Sequence, residues 1–287
     1  MPEDLRTIRR KIRTTTSVSQ ITRAMKMVSA ARLRRTQQLV EKSRPYWEGI
    51  RRLVRYVAGS SDGLKHPLLS AEEPTNAALI LVAGDRGLCG SYNSLVFRRA
   101  LQALHELPVK VNMLVGVGQR VAAWAKTVGL PLYDLFPAYG GQASDQTYLT
   151  VARAVRSYLS QGLCDGVYAV YAPYVSSLQN IPDCRRLVPM ECDEIPGREQ
   201  VQYLFEPDPA ELLDALLVRA VEVEVSQVVI EGAASEQAAR VAAMTAASDN
   251  ADEMMEELVR LRNRIRQQQI TTEILEIVSG ADAITAE

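Results

Sequence analysis

Two glycine-bearing segments are the places in this 287-residue chain where residue types and spacing offer chemistry. The first is Val115-Gly116-Val117-Gly118-Gln119-Arg120-Val121, which holds two glycines of a Gly-x-Gly-x-x-Gly loop. Such a loop lets backbone amides approach a dinucleotide pyrophosphate at a helix start. Val121 stands where the third glycine would permit close helix-to-strand packing, and no acidic residue about 20 positions on is placed to hold a ribose. The expectation is therefore against a bound dinucleotide. The second segment sets Gly84, Gly87 and Gly90 around Asp85, Arg86 and Cys89. It can shape an anion-binding nest at a helix start, or a tight turn that displays Arg86 to a protein partner.

Other catalytic chemistry finds little support. His66 and His105 sit in no metal or triad spacing and are expected at the surface. The adjacent Glu256 and Glu257 lie on a stretch that is acidic throughout, where a solvated face is the ordinary arrangement. Cys89, Cys164, Cys184 and Cys192 show no Cys-x-x-Cys pair and no nearby His, which argues for reduced, partly buried thiols over a zinc site. A Walker-type Gly-x-x-x-x-Gly-Lys-Ser/Thr loop is absent. No active site and no cofactor are expected.

The elements that carry these residues alternate in period. Leu5 to about Val57 reads as one helix, with Pro45 marking a kink or a join between two pieces. Leu5, Ile8 and Ile12 give a first apolar stripe; Ile21, Ala24, Met25, Val28 and Ala31 a second; Trp47, Ile50, Val54 and Val57 a third. Gly59 to Pro74 is a linker. Strands are then expected at Ala77–Ala83, Val109–Val115, Leu130–Phe136 and Gly166–Tyr171, with helices at Tyr92–Leu107, Gly118–Val128 and Ser144–Gln161. Edge strands are expected within Ser176–Pro189 and Val201–Phe205. This alternation predicts a Rossmann-like, mostly parallel sheet covered by helices on both faces. Asp208 caps a helix that starts at Pro209 and runs to about Ser279, with a break near Gly232. Three parts follow: an N-terminal helix over 1–58, a central α/β domain over 75–206 and a C-terminal helix over 208–287.

In that last helix Met244, Ala247, Ala251, Met254, Leu258, Leu261 and Ile265 step alternately by 3 and 4, the spacing of a supercoiled seam. A seam needs a partner, and the other long helical pattern is at the N-terminus. The ends also differ in charge. Residues 1–59 hold 15 Lys or Arg against 4 acids, whereas residues 208–287 hold 6 against 16. The expected fold is a long antiparallel coiled coil of the two terminal helices plus the sheet domain. Exposed charge pairs contribute about 0–1 kcal/mol each and are screened by salt, so charge guides the pairing more than it stabilises it. No run of about 18 apolar residues and no apolar signal core is present, so neither a membrane span nor secretion is expected.

Three segments then carry a resemblance. Ile21-Thr22-Arg23-Ala24-Met25-Lys26-Met27-Val28-Ser29-Ala30-Ala31-Arg32-Leu33, Gly84-Asp85-Arg86-Gly87-Leu88-Cys89-Gly90 and Ile270-Thr271-Thr272-Glu273-Ile274-Leu275-Glu276-Ile277-Val278-Ser279-Gly280-Ala281 resemble, in order and spacing, the signature segments of the gamma subunit of F-type ATP synthase. Ser43-Arg44-Pro45-Tyr46, Glu206-Pro207 and Ala234-Ser235-Glu236-Gln237-Ala238-Ala239-Arg240 extend the likeness over nearly the whole chain. The resemblance implies the central rotor shaft of the motor, one copy per complex. It would stand in a ring of three alpha and three beta subunits, with the epsilon subunit and the c-ring of the membrane sector at its foot. The nucleotide sites belong to the ring, so the shaft itself is not catalytic.

By the same resemblance Met25 would lie opposite Gln267, Thr271 and Glu273, and these residues would help transmit torque to the ring. Met25 can also simply fill a coiled-coil hole. Arg260, Arg262, Arg264 and Arg266 would meet carboxylates of beta or remain solvated, and Arg86 and Cys89 would sit near the lower lobes of beta. Past Ile265 a second stripe of Ile270, Ile274, Ile277 and Val278 would act as a bearing, with Asp282–Glu287 threading to the top of the ring.

Ser91-Tyr92-Asn93, Ser29 and Arg32 depart from the family's usual residues without altering these roles. No Cys-bearing insertion interrupts the sheet domain, unlike the redox-regulated chloroplast form, and helix propensity close to Met1 leaves no transit peptide. A peripheral subunit on the cytoplasmic face of a bacterial plasma membrane is expected. Two competing readings are a nucleic-acid binder using Arg9, Arg10, Lys11, Arg13, Arg32, Arg34 and Arg35, and a dinucleotide-dependent enzyme on the sheet. The first lacks interleaved aromatic residues for base stacking, and the acidic C-terminal helix competes for its charges; no nucleic-acid partner is expected.

Overall fold

Parallel strands buried on both faces must be apolar throughout, and this is how the sheet is built. The computed structural model describes residues 5–60, 66–69, 73–138, 146–176, 180–191, 205, 206 and 208–285. Helix α1 (Leu5–Ser60) is followed by a 3-10 turn at Pro67–Leu69. The order continues β1 (Ala77–Val82), α2 (Tyr92–Glu106), β2 (Val111–Val117), α3 (Arg120–Val128), β3 (Leu132–Phe136), α4 (Thr147–Ser160), β4 (Gly166–Tyr171), β5 (Asp183–Val188) and α5 (Pro209–Thr285). The sheet order is β3-β2-β1-β4-β5, parallel except for β5, which runs antiparallel to β4. All six residues of β1 and of β4 are buried. Each fully buried Leu, Ile or Val contributes roughly 1.5–3 kcal/mol.

The chain forms two compact units. Residues 29–242 make one, and residues 1–28 with 243–287 make the other. In the larger unit Ala78, Ile80 and Val82 of β1 pack with Val151 and Val155 of α4 and with Val221, Val225 and Val228 of α5. Ala77, Leu79 and Leu81 point to the opposite face, under Val96 and Ala100 of α2 and Val121 and Trp124 of α3. Asp165 fastens the entry to β1 by accepting from Thr75 N at 2.9 Å, Thr75 Oγ1 at 2.6 Å and Asn76 N at 2.7 Å. Asp208 caps α5 as expected, its Oδ2 accepting from Ala210 N at 3.1 Å.

The expected break near Gly232 does not occur, and of the two readings of Pro45, a kink or a join, the join is excluded. α5 passes Gly232 without a break, because Gly232 permits contact rather than flexibility: a Cβ there would lie 2.6 Å from Val82 Cγ1 of the sheet. α1 runs through Pro45 as one helix. The carbonyl four residues back, on Glu41, loses its donor on an exposed face, where it is open to solvent. The expected strand at Val201–Phe205 falls almost wholly outside the described residues, as does Cys192, and the edge strand within Ser176–Pro189 is confined to β5.

The smaller unit is an antiparallel helix pair, in which the apolar seam expected on α5 is buried or half-buried at every position but Met254, while the α1 side is built largely of small hydroxyl residues. On α1 the seam is Ile8, Ile12, Thr15, Ser19, Thr22 and Lys26, buried or half-buried, whereas Ile21, Met27 and Val28 are 58%, 71% and 53% exposed. On α5 it follows Met244, Ala247, Ser248, Ala251, Met255, Leu258, Leu261, Arg262 and Ile265, buried or half-buried, and Met254, though 55% exposed, accepts from Thr15 Oγ1 at 3.8 Å through its sulfur. Ser19 Oγ donates to Asp252 Oδ1 at 2.9 Å, Arg23 Nη2 to Asp252 Oδ2 at 2.5 Å, and Ser248 Oγ to Thr22 Oγ1 at 2.8 Å. Small hydroxyl residues let the helices approach closely while each seam O–H finds a carboxylate, a hydroxyl, a methionine sulfur or a carbonyl one turn back. The apolar stripe of Ile21, Ala24, Met25, Val28 and Ala31 therefore does not supply the α1 side of the seam: Ile21, Ala24 and Val28 are exposed.

Gly49 lies inside α1 with nothing within 4 Å of an added Cβ, so Gly49→Ala is expected to stabilise by about 0.5–1 kcal/mol in urea denaturation. Gly118 has φ +101° and a Cβ there would meet Ala83 O at 2.1 Å, so Gly118→Ala is expected to lose at least about 2 kcal/mol in the same assay. For Asp165, burial pulls the carboxyl pKa up but the Thr75 and Asn76 donors outweigh it, and the net shift is downward. A lowered folded pKa gives stability that is present above the usual carboxylate range and is lost as pH falls through the folded value. Asp165→Asn should therefore lower the urea midpoint at pH 7 and converge with the parent at the acid end of the profile.

Candidate partner interface

In open α/β sheets ligands lodge at the carboxyl ends of the strands, where the strand order reverses, here between β1 and β4. This chain fills that crevice with itself. Gly232 of α5 rests on Val82 and Tyr171 at the ends of β1 and β4, and Tyr92 Oη donates to Gly232 O at 3.0 Å. One turn on, a Cβ at Gly84 would lie 2.7 Å from Glu236 Oε1. The glycines of Gly116-Val117-Gly118 serve packing as well: Gly116 faces Leu135 and Val121, and Gly118 passes against the Ala83 carbonyl. The anion position at the α3 N-terminus already holds a carboxylate, since Asp85 Oδ1 accepts from Gln119 N at 3.0 Å and from Ala138 N at 2.9 Å. A pyrophosphate would have to displace both Asp85 and α5.

The Gly84–Gly90 turn is held from below. Asn93 Oδ1 accepts from Gly84 N at 2.9 Å, and Asn93 Nδ2 donates to Cys89 Sγ at 3.3 Å and Arg86 O at 3.4 Å. Leu88 (φ +65°) and Gly90 (φ +60°) adopt left-handed backbone, the costlier arrangement for Leu88, and Leu88 is 62% exposed. Arg86 is exposed and Cys89 is 1% exposed. Of the two sequence-predicted contacts, Arg86 is thus placed to reach outward and Cys89 packs inward. Burial, then the Glu236 charge, pushes the Cys89 thiol up. Cys164 and Cys184 are each raised to about 11 chiefly by burial, and all three are free thiols.

Beneath the turn, Glu236 (3% exposed) accepts from Arg240 (8% exposed) one helical turn away. Burial raises the Glu236 carboxyl and Arg240 opposes that rise. His66 is half-buried rather than on the surface: its Nε2 lies 3.1 Å from Asp214 Oδ1 and its Nδ1 accepts from Leu68 N at 3.0 Å. Among the described residues no group of three or more His, Cys, Asp or Glu could hold a metal ion.

The outward-facing apolar residues are what the fold leaves without a cover of its own. Val18, Ile21, Met27 and Val28 on α1 form one set in the helix pair. Ile270, Ile274, Leu275, Ile277 and Val278 form another, 48% to 72% exposed. Helical faces of this kind mark protein interfaces. The sequence-predicted contacts fall at different heights of the pair. The Ser19–Asp252 and Thr22–Ser248 bonds fix a register on which Met25 faces the turn around residue 245, so Gln267 lies about 20 residues, or roughly 30 Å, further along α5. Met25 is half-buried and is not brought opposite Gln267, Thr271 and Glu273, which are exposed. Arg260 and Arg264 are exposed, whereas Arg262 takes a seam position and is half-buried. The seam hydroxyls Thr15, Ser19, Thr22 and Ser248 escaped sequence reasoning, although their steps of 3 and 4 carried the signal.

A sheet domain whose ligand crevice is closed by its own helix, together with a helix pair bearing exposed apolar faces, has the build of a subunit that docks on protein partners. Comparisons with known proteins agree. The family model described as ATP synthase matches residues 4–284. The ATP synthase gamma chain of Pelotomaculum thermopropionicum is 39% identical over 281 residues, covering 98% of this chain and 99% of that one. The ATP synthase gamma chain of Pasteurella multocida is 37% identical over 283 residues, covering 96% and 98%. Among solved structures, a chain of the OSCP/F1/c-ring assembly of the Euglena gracilis mitochondrial ATP synthase aligns with a TM-score of 0.68 at 19% identity, covering 98% of this chain and 95% of that one. The chain belongs to the ATP synthase gamma chain family.

Removing one member of the Glu236–Arg240 pair leaves a buried charge uncompensated, which costs about 3–5 kcal/mol. Glu236→Gln should show a loss of that order in urea denaturation, and Glu236→Gln with Arg240→Met should recover a large part of it. Equal stability of the two variants would mean that the pair is not what holds this part of α5.

Proposed function

We propose that this chain is the central rotor shaft of an ATP synthase, coupling rotation driven by proton flow to ATP synthesis and hydrolysis in a ring of three alpha and three beta subunits. The observation that carries the reading is the run of α5 from Gln267 to Ser279, exposed at every position yet bearing Ile270, Ile274, Leu275, Ile277 and Val278. A helix end of this composition needs an apolar sleeve around it. The shaft does no chemistry: Asp85 and α5 occupy the places where a nucleotide would sit on such a sheet.

It acts by binding the open and closed states of beta unequally. A ligand shifts a conformational equilibrium only by its differential affinity, each tenfold change corresponding to about 1.4 kcal/mol. A shaft whose faces differ presents a different contact to each beta subunit as it turns. Met25, Arg86, Arg260, Arg262, Arg264, Gln267, Thr271 and Glu273 are the contacts we assign to the ring, the arginines meeting carboxylates of beta, and Cys89 shapes the turn that displays Arg86. The epsilon subunit and the c-ring complete the rotor, with one copy of this chain per complex. No described helix is long and apolar enough to cross a membrane. We assign the chain as a peripheral subunit at the cytoplasmic face of a bacterial plasma membrane.

Mixing the purified chain with matching alpha and beta subunits should give one large co-eluting complex and sustained multi-site ATP hydrolysis. Ile274→Asp combined with Ile277→Asp should change the chain's own stability by no more than about 0.5 kcal/mol, because both side chains are exposed. The same variant should lose co-elution or turnover. A chain that elutes alone and leaves hydrolysis unchanged is not a rotor.

A further inference from the structure

We propose that the cleft where α1, β5 and α5 meet in the larger unit is an anion site for a phosphate-sized oxyanion carrying two negative charges. Arg51 and Arg55 come from α1, Arg185 and Arg186 from β5, Glu224 from α5 and Glu191 from the segment after β5, and these line a cavity of about 260 Å³. That volume is below the roughly 300–1,000 Å³ of sites that take drug-sized ligands, and suits a small ion. Among the residues lining the cavity four guanidinium groups stand against two carboxylates, an excess of two positive charges, with Glu231 acting on Arg185 from outside the lining.

The local bonding leaves one buried donor of the cleft, Arg186 Nε, without an acceptor. Glu224 is 5% exposed and divides itself between two arginines, with Oε1 at 3.3 Å from Arg51 Nε and Oε2 at 3.2 Å from Arg185 Nη2. The second approach has the distance of an ion pair without the alignment of a hydrogen bond, for Oε2 is buried with no donor directed at it. Arg186 reaches Glu191 through Nη2 at 3.2 Å, but its Nε is buried with no acceptor. Arg55 donates through Nε to Arg51 O at 3.4 Å, a bond that does not engage its terminal fork. A buried guanidinium N–H lacking an acceptor is costly, and planar forks match tetrahedral oxyanions two bonds at a time.

The site is also held in shape before a ligand arrives. The guanidinium carbons of Arg51 and Arg185 lie 5.1 Å and 5.3 Å from the centroid of Trp47, so the aromatic ring fixes two of the four cations. Like charges gathered this closely repel one another, and a dianion among them removes that repulsion. The oxyanion is either free phosphate or the phosphate of a larger molecule.

The test uses the purified full chain in thermal melts and calorimetric titration, with sodium phosphate compared against sodium chloride at equal ionic strength. Phosphate should raise the melting midpoint saturably and chloride should not. Arg55→Gln and Arg186→Gln should each weaken the phosphate effect by about tenfold or more, the loss expected for one charge-assisted pair. Arg55→Gln is the variant expected to keep the parent's midpoint without phosphate. A parallel titration with ADP separates the sources: an effect of ADP at lower concentration than phosphate assigns the site to a phosphate carried on a larger molecule, and an effect of phosphate alone assigns it to the free ion. The absence of any phosphate-specific shift, or a shift of equal size in the parent and both variants, overturns the proposal.

Discussion

The larger unit depends on one constraint, which is that α5 has no wet side between residues 227 and 240. Thirteen of those positions are buried and Glu231 is half-buried. A helix enclosed all round usually has an apolar surface on every face. Here the enclosed stretch includes Gln227, Ser235, Glu236, Gln237 and Arg240, so each polar group needs its own partner or bears a cost. Glu236 and Arg240 satisfy each other, and Ser43 Oγ donates to Gln227 Oε1 at 2.8 Å. From this enclosure follow the glycines at 84 and 232, the shape of the Gly84–Gly90 turn and the closing of the crevice at the strand ends.

The same enclosure explains how a fold that commonly holds nucleotides is turned to another purpose. The architecture keeps the strand, turn and helix geometry that cradles phosphates. Asp85 supplies the negative charge at the α3 N-terminus from within the chain, and α5 supplies the volume a ligand would occupy. The sheet has become a grip on a helix. The chain's exposed apolar residues lie largely on helical faces instead.

Much of this was legible in the amino-acid order. The alternation of apolar runs with helical stretches gave every strand of the parallel sheet within a few residues, because strands buried on both faces cannot disguise their composition. Asp208 before Pro209 marked the start of α5 correctly. Three features were not legible, each for a physical reason. Gly232 read as a breaker because close approach of a helix to a sheet is a tertiary fact that propensity does not encode. The α1 side of the seam could not be read because an apolar stripe is the usual mark of a buried face, whereas here close approach places Thr15, Ser19 and Thr22 inside. The facing of Met25 and Gln267 could not be read because the register rests on paired hydroxyls and one carboxylate.

The spacing of the helix-pair seam has a mechanical consequence. Its buried positions on α1, from Ile8 through Ile12, Thr15, Ser19 and Thr22 to Lys26, recur at 3.5 residues per turn, slightly short of the 3.6 of a straight α-helix. Helices that keep such a repeat wind about each other left-handedly. A wound pair is chiral with respect to torsion: turning its ends in one sense tightens the winding and presses the hydroxyl seam together, and turning them in the other sense opens it. Torque in the two directions therefore meets two different stiffnesses, a built-in handedness in a shaft made of two ordinary helices.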